Sequence, residues 1–231
     1  MKRFWKEATA VPVDDAWQIR LDGKPLRTPA RVPLQVAGQP LAEAVAAEWA
    51  LASATVDPRA MPLTGLANAA IDRVTQDPAE FAASLSRFAR ADLLTYRAQG
   101  PRPLVDLETT TWDPLLDWAR QRFNVEFVVT TGINPVDQPA ATLAHLDAAV
   151  AVLDPFTLAG LAPLVTVGGS LVAGLAVLEC AFDLESGWAA VSLDEQYQLD
   201  TWGEDSEARK ALNSREVDYR AGARFLALLR A

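Results

Sequence analysis

The hydrophobic period of this chain changes near Pro40, and that switch limits the folds open to it. Before it, Trp17-Gln18-Ile19-Arg20-Leu21 alternates apolar and polar residues with period two, the pattern of a strand with one buried face. Asp22-Gly23 follows, a dipeptide that accepts positive φ in a tight hairpin turn. Pro25, Pro29 and Pro33 punctuate the return and hold it to short or edge strands, because proline cannot donate to a ladder. After Pro40, Leu41, Val45, Trp49 and Ala52 recur at helical spacing, as do Leu63, Leu66, Ala70, Ile71 and Val74, then Phe81, Leu85 and Phe88.

The remainder keeps the helical period with interruptions. Asp77-Pro78 combines a capping side chain with a proline suited to the first helical position, and Asp113-Pro114 repeats that pairing inside a helical segment carrying Trp112, Leu115, Leu116, Ala119 and Phe123. Val125 to Thr131 is β-branched and alternating, which predicts one more strand. Leu143, Leu146, Val150 and Leu153 predict a helix ending at Asp154-Pro155, and two further helices are expected over Leu184 to Trp202 and Asp205 to Leu229. No regular βαβ alternation appears. The expected class is therefore α+β, with a β-rich N-terminal unit over 1–62 and a larger, mainly α-helical domain over 63–231.

Within the helical region lies an uncharged run, Leu161 to Leu178, at the lower end of the roughly 17 to 25 residues that span a bilayer. Pro163, Gly168, Gly169, Ser170 and Gly174 interrupt it, and Lys or Arg anchors do not flank it. It is expected to be a central buried helix, not a membrane insertion, with the glycines admitting a neighbouring helix. The basic start, Met1 to Glu7, leads into no apolar stretch of a secretory signal, so a cytoplasmic location is expected.

Scarcity removes much catalytic chemistry. His145 and Cys180 are the single histidine and cysteine, which leaves no Cys/His metal cluster and no intrachain disulfide. Both are expected to be structural, His145 near a helix surface and Cys180 in the core. Neither G-x-G-x-x-G after a strand, nor G-x-x-x-x-G-K-[ST], nor G-x-S-x-G is present, so no cofactor, catalytic residue or small-molecule substrate is expected. A net charge of −9 argues against nucleic acid as partner.

Glu185, Asp194, Glu195, Asp200, Glu204, Asp205 and Glu207 fall in a stretch without Lys or Arg, and a basic stretch follows from Arg209. Two neutralising faces would explain this, as would an acidic docking surface. Trp188, Val191, Glu195, Leu199 and Trp202 would share one face of a continuous helix. A carboxylate in such a stripe needs a partner: an internal arginine, a docked protein, or a role as general acid. The first 31 residues carry seven basic and four acidic side chains, which leaves the rest at −12.

Several stretches together resemble the ATP synthase assembly chaperones that act on the alpha subunit of the catalytic sector. They are Lys2-Arg3-Phe4-Trp5-Lys6, Asp22-Gly23-Lys24-Pro25-Leu26-Arg27-Thr28-Pro29, Ala47-Glu48-Trp49, and Met61-Pro62-Leu63-Thr64 through Asn68 to Ile71-Asp72. Further on come Asp92-Leu93-Leu94-Thr95-Tyr96-Arg97, Trp112-Asp113-Pro114-Leu115-Leu116-Asp117-Trp118, and Leu193-Asp194-Glu195 leading to Trp202-Gly203-Glu204-Asp205. The resemblance implies a non-enzymatic chaperone in a bacterial setting that holds unassembled alpha subunit and prevents its aggregation before it pairs with beta. Such a protein needs apolar anchors with a charged rim, and Glu195, Trp202, Glu204 and Asp205 are the candidate partner-binding residues. The alternative is a carboxylate-based hydrolase or small-molecule-binding protein using the Trp-rich acidic segment 188–205, which requires a pocket with convergent carboxylates.

Overall fold

The computed structural model describes residues 2–203 and 205–231. β1 (Ala8–Val13) and β2 (Ala16–Leu21) form an antiparallel hairpin, with Ala8 opposite Leu21 and Val13 opposite Ala16. Asp22 and Gly23 both take positive φ, 47° and 77°, and turn the chain into β3 (Lys24–Pro25), as that dipeptide predicts. β4 (Gln35–Val36) pairs with the first half of β2, so β2 is central and β1, which contains Pro12, is an edge. Asp22 also accepts the N–H groups of Lys6 (3.0 Å) and Glu7 (2.9 Å), and these bonds hold its carboxyl below the usual range.

α1 (Gln39–Leu51) lays Leu41, Val45 and Trp49 into the core with Ile19, Leu34 and Val36. Trp5 stacks obliquely on Trp49 at 5.0 Å and donates Nε1–H to the Trp49 carbonyl, while Trp49 donates to Thr64 Oγ1. α2 (Pro62–Asp72) lacks a cap from its own Met61. Glu48 supplies one instead, accepting the N–H groups of Leu63 and Thr64 at 2.8 Å each. Asp72, at the end of α2, accepts Ala30 N–H at 3.0 Å. The motif residues Trp5, Glu48, Trp49, Thr64 and Asp72 therefore hold this part of the fold together.

α3 (Pro78–Ser86), two 3-10 turns and β5 (Tyr96–Arg97) lead to α4 (Arg102–Phe123). Asp113-Pro114 does not start a helix: α4 runs through Pro114, and Asp113 pairs with Arg97 at 2.6 Å. Buried Trp112, Leu115 and Leu116 flank the proline, and this packing offsets the hydrogen bond it removes. The strand expected over Val125 to Thr131 shrinks to β6 (Thr130–Thr131), parallel to β5. Side chains satisfy the backbone where a neighbouring strand would: Thr142 bonds both N–H and C=O of Glu126, and Gln138 does the same at Val128.

α5 (Ala140–Ala151) carries His145 on its exposed side, 3.0 Å from the Asn124 carbonyl. The apolar run is buried as expected but forms parts of two helices, α6 (Pro155–Gly168) and α7 (Leu171–Leu178). Gly169 takes φ 69° between them, and Ser170 caps α7 by accepting Ala173 N–H. Asp92 is wholly buried and accepts Val172 N–H (3.0 Å) as well as Leu94 N–H. No helix among the described residues is long and apolar enough to cross a membrane. Cys180 is exposed just past α7, with φ 56°, contrary to the expected core placement.

α8 (Leu184–Val191), α9 (Leu193–Trp202) and α10 (Ser206–Arg230) complete an α+β fold. The single helix expected over Leu184 to Trp202 breaks at Ser192, whose hydroxyl bonds back to the Trp188 carbonyl at 2.7 Å. Packing divides the chain into two compact units, one of Met1–Pro78, Asp154–Gly160 and Arg224–Ala231, the other of Ala79–Leu153 and Leu161–Ala223.

Candidate functional site

Within the second unit, α9 and the start of α10 form a groove of about 450 Å3. Leu199, Ala208, Ala211 and Leu212 give it apolar walls, and Glu195, Gln198, Asp205 and Arg215 give it polar edges. Three of the four expected partner-binding residues line it: Glu195, Trp202 and Asp205. Glu204 lies outside the described residues.

The local sequence explains the groove. Trp188 and Val191 on α8 are buried, and Trp188 packs on Tyr219 of α10 with ring centres 5.5 Å apart. Trp112 Nε1 donates to the Ala190 carbonyl at 2.8 Å, tying α8 to α4. The break at Ser192 then re-aims α9, so Leu199 stays buried while Trp202, one turn on, is 75% exposed. An exposed tryptophan leaves a large apolar surface in water, the kind of residue that anchors interfaces. Asp205 caps α10, accepting Glu207 N–H at 2.9 Å.

The charges of this segment are largely answered from α10. Arg215 pairs with Glu195 and donates its other Nη to the Val167 carbonyl at 2.9 Å. Arg220 grips Glu185 through two bonds of 2.6 Å and also holds Glu216. Those bonds keep Glu185 below the usual carboxylate range. The internal arginine considered for Glu195 is thus Arg215, and Asp200 and Glu207 are exposed acids close to Trp202 in the sequence.

Two carboxyls do line one cleft nearby, but they are Glu108 and Asp194. Burial pushes Glu108 up, opposed by the Ala98 N–H; burial and then the Glu195 charge push Asp194 up. Carboxyls that act as acid and base on a glycosidic bond stand roughly 5 to 9.5 Å apart, with room for substrate or water. In the groove Glu195 is paired with Arg215 instead. Sequence reasoning missed Glu108, Arg97 and Arg215, because nothing local marks the approach of segments so distant along the chain. In the first unit a second cleft of about 450 Å3 opens between α1 and α2 beside exposed Leu51.

No group of three or more His, Cys, Asp or Glu able to hold a metal ion occurs among the described residues. Comparison with known proteins points in one direction. Residues 2–120 match the family model described as ATP12 chaperone protein. The chain is 26% identical to mitochondrial Protein atp12 of Schizosaccharomyces pombe, over 92% of this chain and 77% of that one. It is similar to the crystal structure of Atp12 from Paracoccus denitrificans, with 41% identity, a TM-score of 0.93, and coverage of 99% of this chain and 98% of that one. A mutant of P. denitrificans Atp12p superposes equally well, at 40% identity and the same coverage.

Proposed function

The chain belongs to the ATP12 chaperone protein family, and on that premise we propose that it serves ATP synthase assembly by holding the unassembled alpha subunit until beta replaces it. The client is protected from aggregation in the bacterial cytoplasm, and the chaperone binds it without catalysing a reaction. The observation that carries the proposed surface is Trp202, 75% exposed at the mouth of an apolar groove. Glu195, Glu204 and Asp205 complete the proposed contact set, with the acids as rim. Release follows when the client's true neighbour binds the same surface more tightly. The hydrolase alternative gains nothing from Glu195, whose partner is Arg215 and not a second carboxylate.

The test is copurification of the tagged chain from its native cytoplasm, with mass spectrometry of stoichiometric partners and an aggregation assay on purified alpha subunit. Alpha is expected in the complex, and its aggregation is expected to slow. Trp202→Ala should weaken the complex by roughly tenfold or more, as loss of a tryptophan anchor does, with thermal stability unchanged because the ring is exposed. Alpha that aggregates equally with and without the chain, and forms no complex, sinks the reading. Alpha recovered equally by wild type, Trp202→Ala and a Glu204→Lys/Asp205→Lys double variant keeps the client and discards the surface.

A further inference from the structure

The segment Val125 to Thr131 keeps a strand's backbone without a strand's full set of neighbours: it runs with no turn or bend, and only Thr130 and Thr131 pair with β5. Successive residues of an extended chain turn their N–H and C=O groups to opposite edges. The inner edge is answered, with Thr142 serving Glu126, Gln138 serving Val128, and Gly132 N–H reaching the Arg97 carbonyl at 2.8 Å. The alternation turns Phe127, Val129 and Thr131 the other way. Neither the N–H nor the C=O of Val129 has a hydrogen-bond partner among the described residues, and the register with β5 leaves those of Thr131 outside the pair. Phe127 is 8% exposed, whereas Val129 is 41% exposed and Thr131 is exposed, so the open edge is Val129 to Thr131. Gly132, at φ 84°, ends the extended run.

Two donors and two acceptors at this spacing are matched together by one kind of ligand, a second extended backbone. Charge narrows the class. The Glu126 side chain is 85% exposed, and the one cation near it, Arg120 at 3.8 Å, is bonded to Asp117 at 2.7 Å, so two carboxylates share one guanidinium. By the period of two, Glu126 projects on the same face as Thr130 and Val128, the latter 39% exposed. We propose that an extended, basic and β-branched segment of a partner polypeptide adds to this edge as an antiparallel strand. Two of its alternate residues exchange both backbone hydrogen bonds with Val129 and with Thr131, as directly opposed residues of an antiparallel pair do. Its β-branched side chains lie beside Val128 and Thr130, and a lysine or arginine stands opposite Glu126. A second copy of this chain is the poorer occupant, because it brings another net charge of −9 to an edge with carboxylate in excess. The inference rests neither on the groove at Trp202 nor on the alpha subunit as client.

The experiment is an NMR titration of the isotope-labelled full chain with three peptides. The first is acetyl-Ser-Val-Thr-Val-Ser-Lys-amide, in which the threonine falls opposite Val129 and the lysine opposite Glu126. The second carries an N-methyl group on the threonine nitrogen, and the third has glutamate in place of lysine. The first peptide is expected to shift the Val129 and Thr131 amides saturably in the millimolar range. N-methylation should weaken it about tenfold, since a backbone donor is lost, and glutamate about threefold at low salt. No saturable shift at Val129 and Thr131, or equal binding of the N-methylated peptide, overturns the added strand; equal or tighter binding of the glutamate peptide overturns the basic partner. Amide exchange at these two residues that slows as the free chain is concentrated would assign the edge to a second copy and overturn the proposal. Val129→Pro removes an N–H that bonds nothing in the fold, so it should leave the melting temperature little changed and abolish the shift at Thr131. A folded variant that binds as wild type does overturns the assigned edge, and if the variant does not fold, the three-peptide comparison decides alone.

Discussion

Asp92 shows how one residue can join two elements at a thermodynamic cost. It is wholly buried, and its partners are the N–H groups of Leu94, Leu171 and Val172 and the side chain of Ser170. Burial pushes its pKa up to about 6, against the pull of those hydrogen bonds. The unfolded chain titrates an aspartate near 3.9. Below about pH 4 the group is protonated in both states and its contribution is fully present; as pH rises through 6, the native state must hold a buried carboxylate and the contribution is lost. Asp22, Asp183 and Glu185, held below the usual range, act with the opposite sign. They cancel when wild type is compared with Asp92→Asn. In urea titrations, the stability of wild type relative to that variant should fall by on the order of 2 to 3 kcal/mol between pH 4 and pH 7. A difference that stays flat with pH would place the titration elsewhere.

At the scale of the element, the start of α10 combines two demands on one side chain. Asp205 caps the helix through Glu207 N–H and also lines the proposed groove. Asparagine caps as well as aspartate, whereas alanine costs about 1 kcal/mol. Asp205→Asn should therefore leave the melting temperature nearly unchanged while lowering client affinity, and Asp205→Ala should lower both; calorimetry alongside a binding titration separates the two roles. If Asp205→Asn binds the client as wild type does, the residue serves the helix alone. Elements set by local period were legible in the sequence: the Asp22-Gly23 hairpin, α1 and α2 stand where the alternation and the helical spacing put them. Elements decided by a distant side chain were not. Thr142 and Gln138 claim the backbone of the expected strand at Val125 to Thr131, and Asp113 is drawn to Arg97 instead of capping a helix. The break at Ser192 depends on one hydroxyl, and it moves Trp202 into solvent while Leu199, on the same expected stripe, stays buried. The groove was legible as a stretch of letters, since Glu195, Trp202 and Asp205 were marked by charge and aromatic content. The carboxyl pair was not, because Glu108 and Asp194 lie far apart in the chain and line one cleft only once it is folded.

For the molecule as a whole, a net charge of −9 is less informative than where the charge is left unanswered. Arg215 pairs with Glu195, and Arg220 is shared between Glu185 and Glu216. Asp200 and Glu207 are exposed acids close to Trp202 in the sequence. Charge of this kind acts on encounter more than on the lifetime of a complex, and salt screens it over about 8 Å at physiological ionic strength. A client that presents basic residues to this rim should associate several-fold more slowly as salt rises from low to physiological concentration, with dissociation little changed. Trp202→Ala should do the reverse, raising the dissociation rate and leaving the salt dependence intact, because a buried aromatic anchor is felt after docking. Stopped-flow association measured across a salt series for wild type and Trp202→Ala distinguishes the two contributions. An association rate indifferent to salt would remove Asp200 and Glu207 from the docking surface, and a rate that increased with salt would show that the client approaches with like charge.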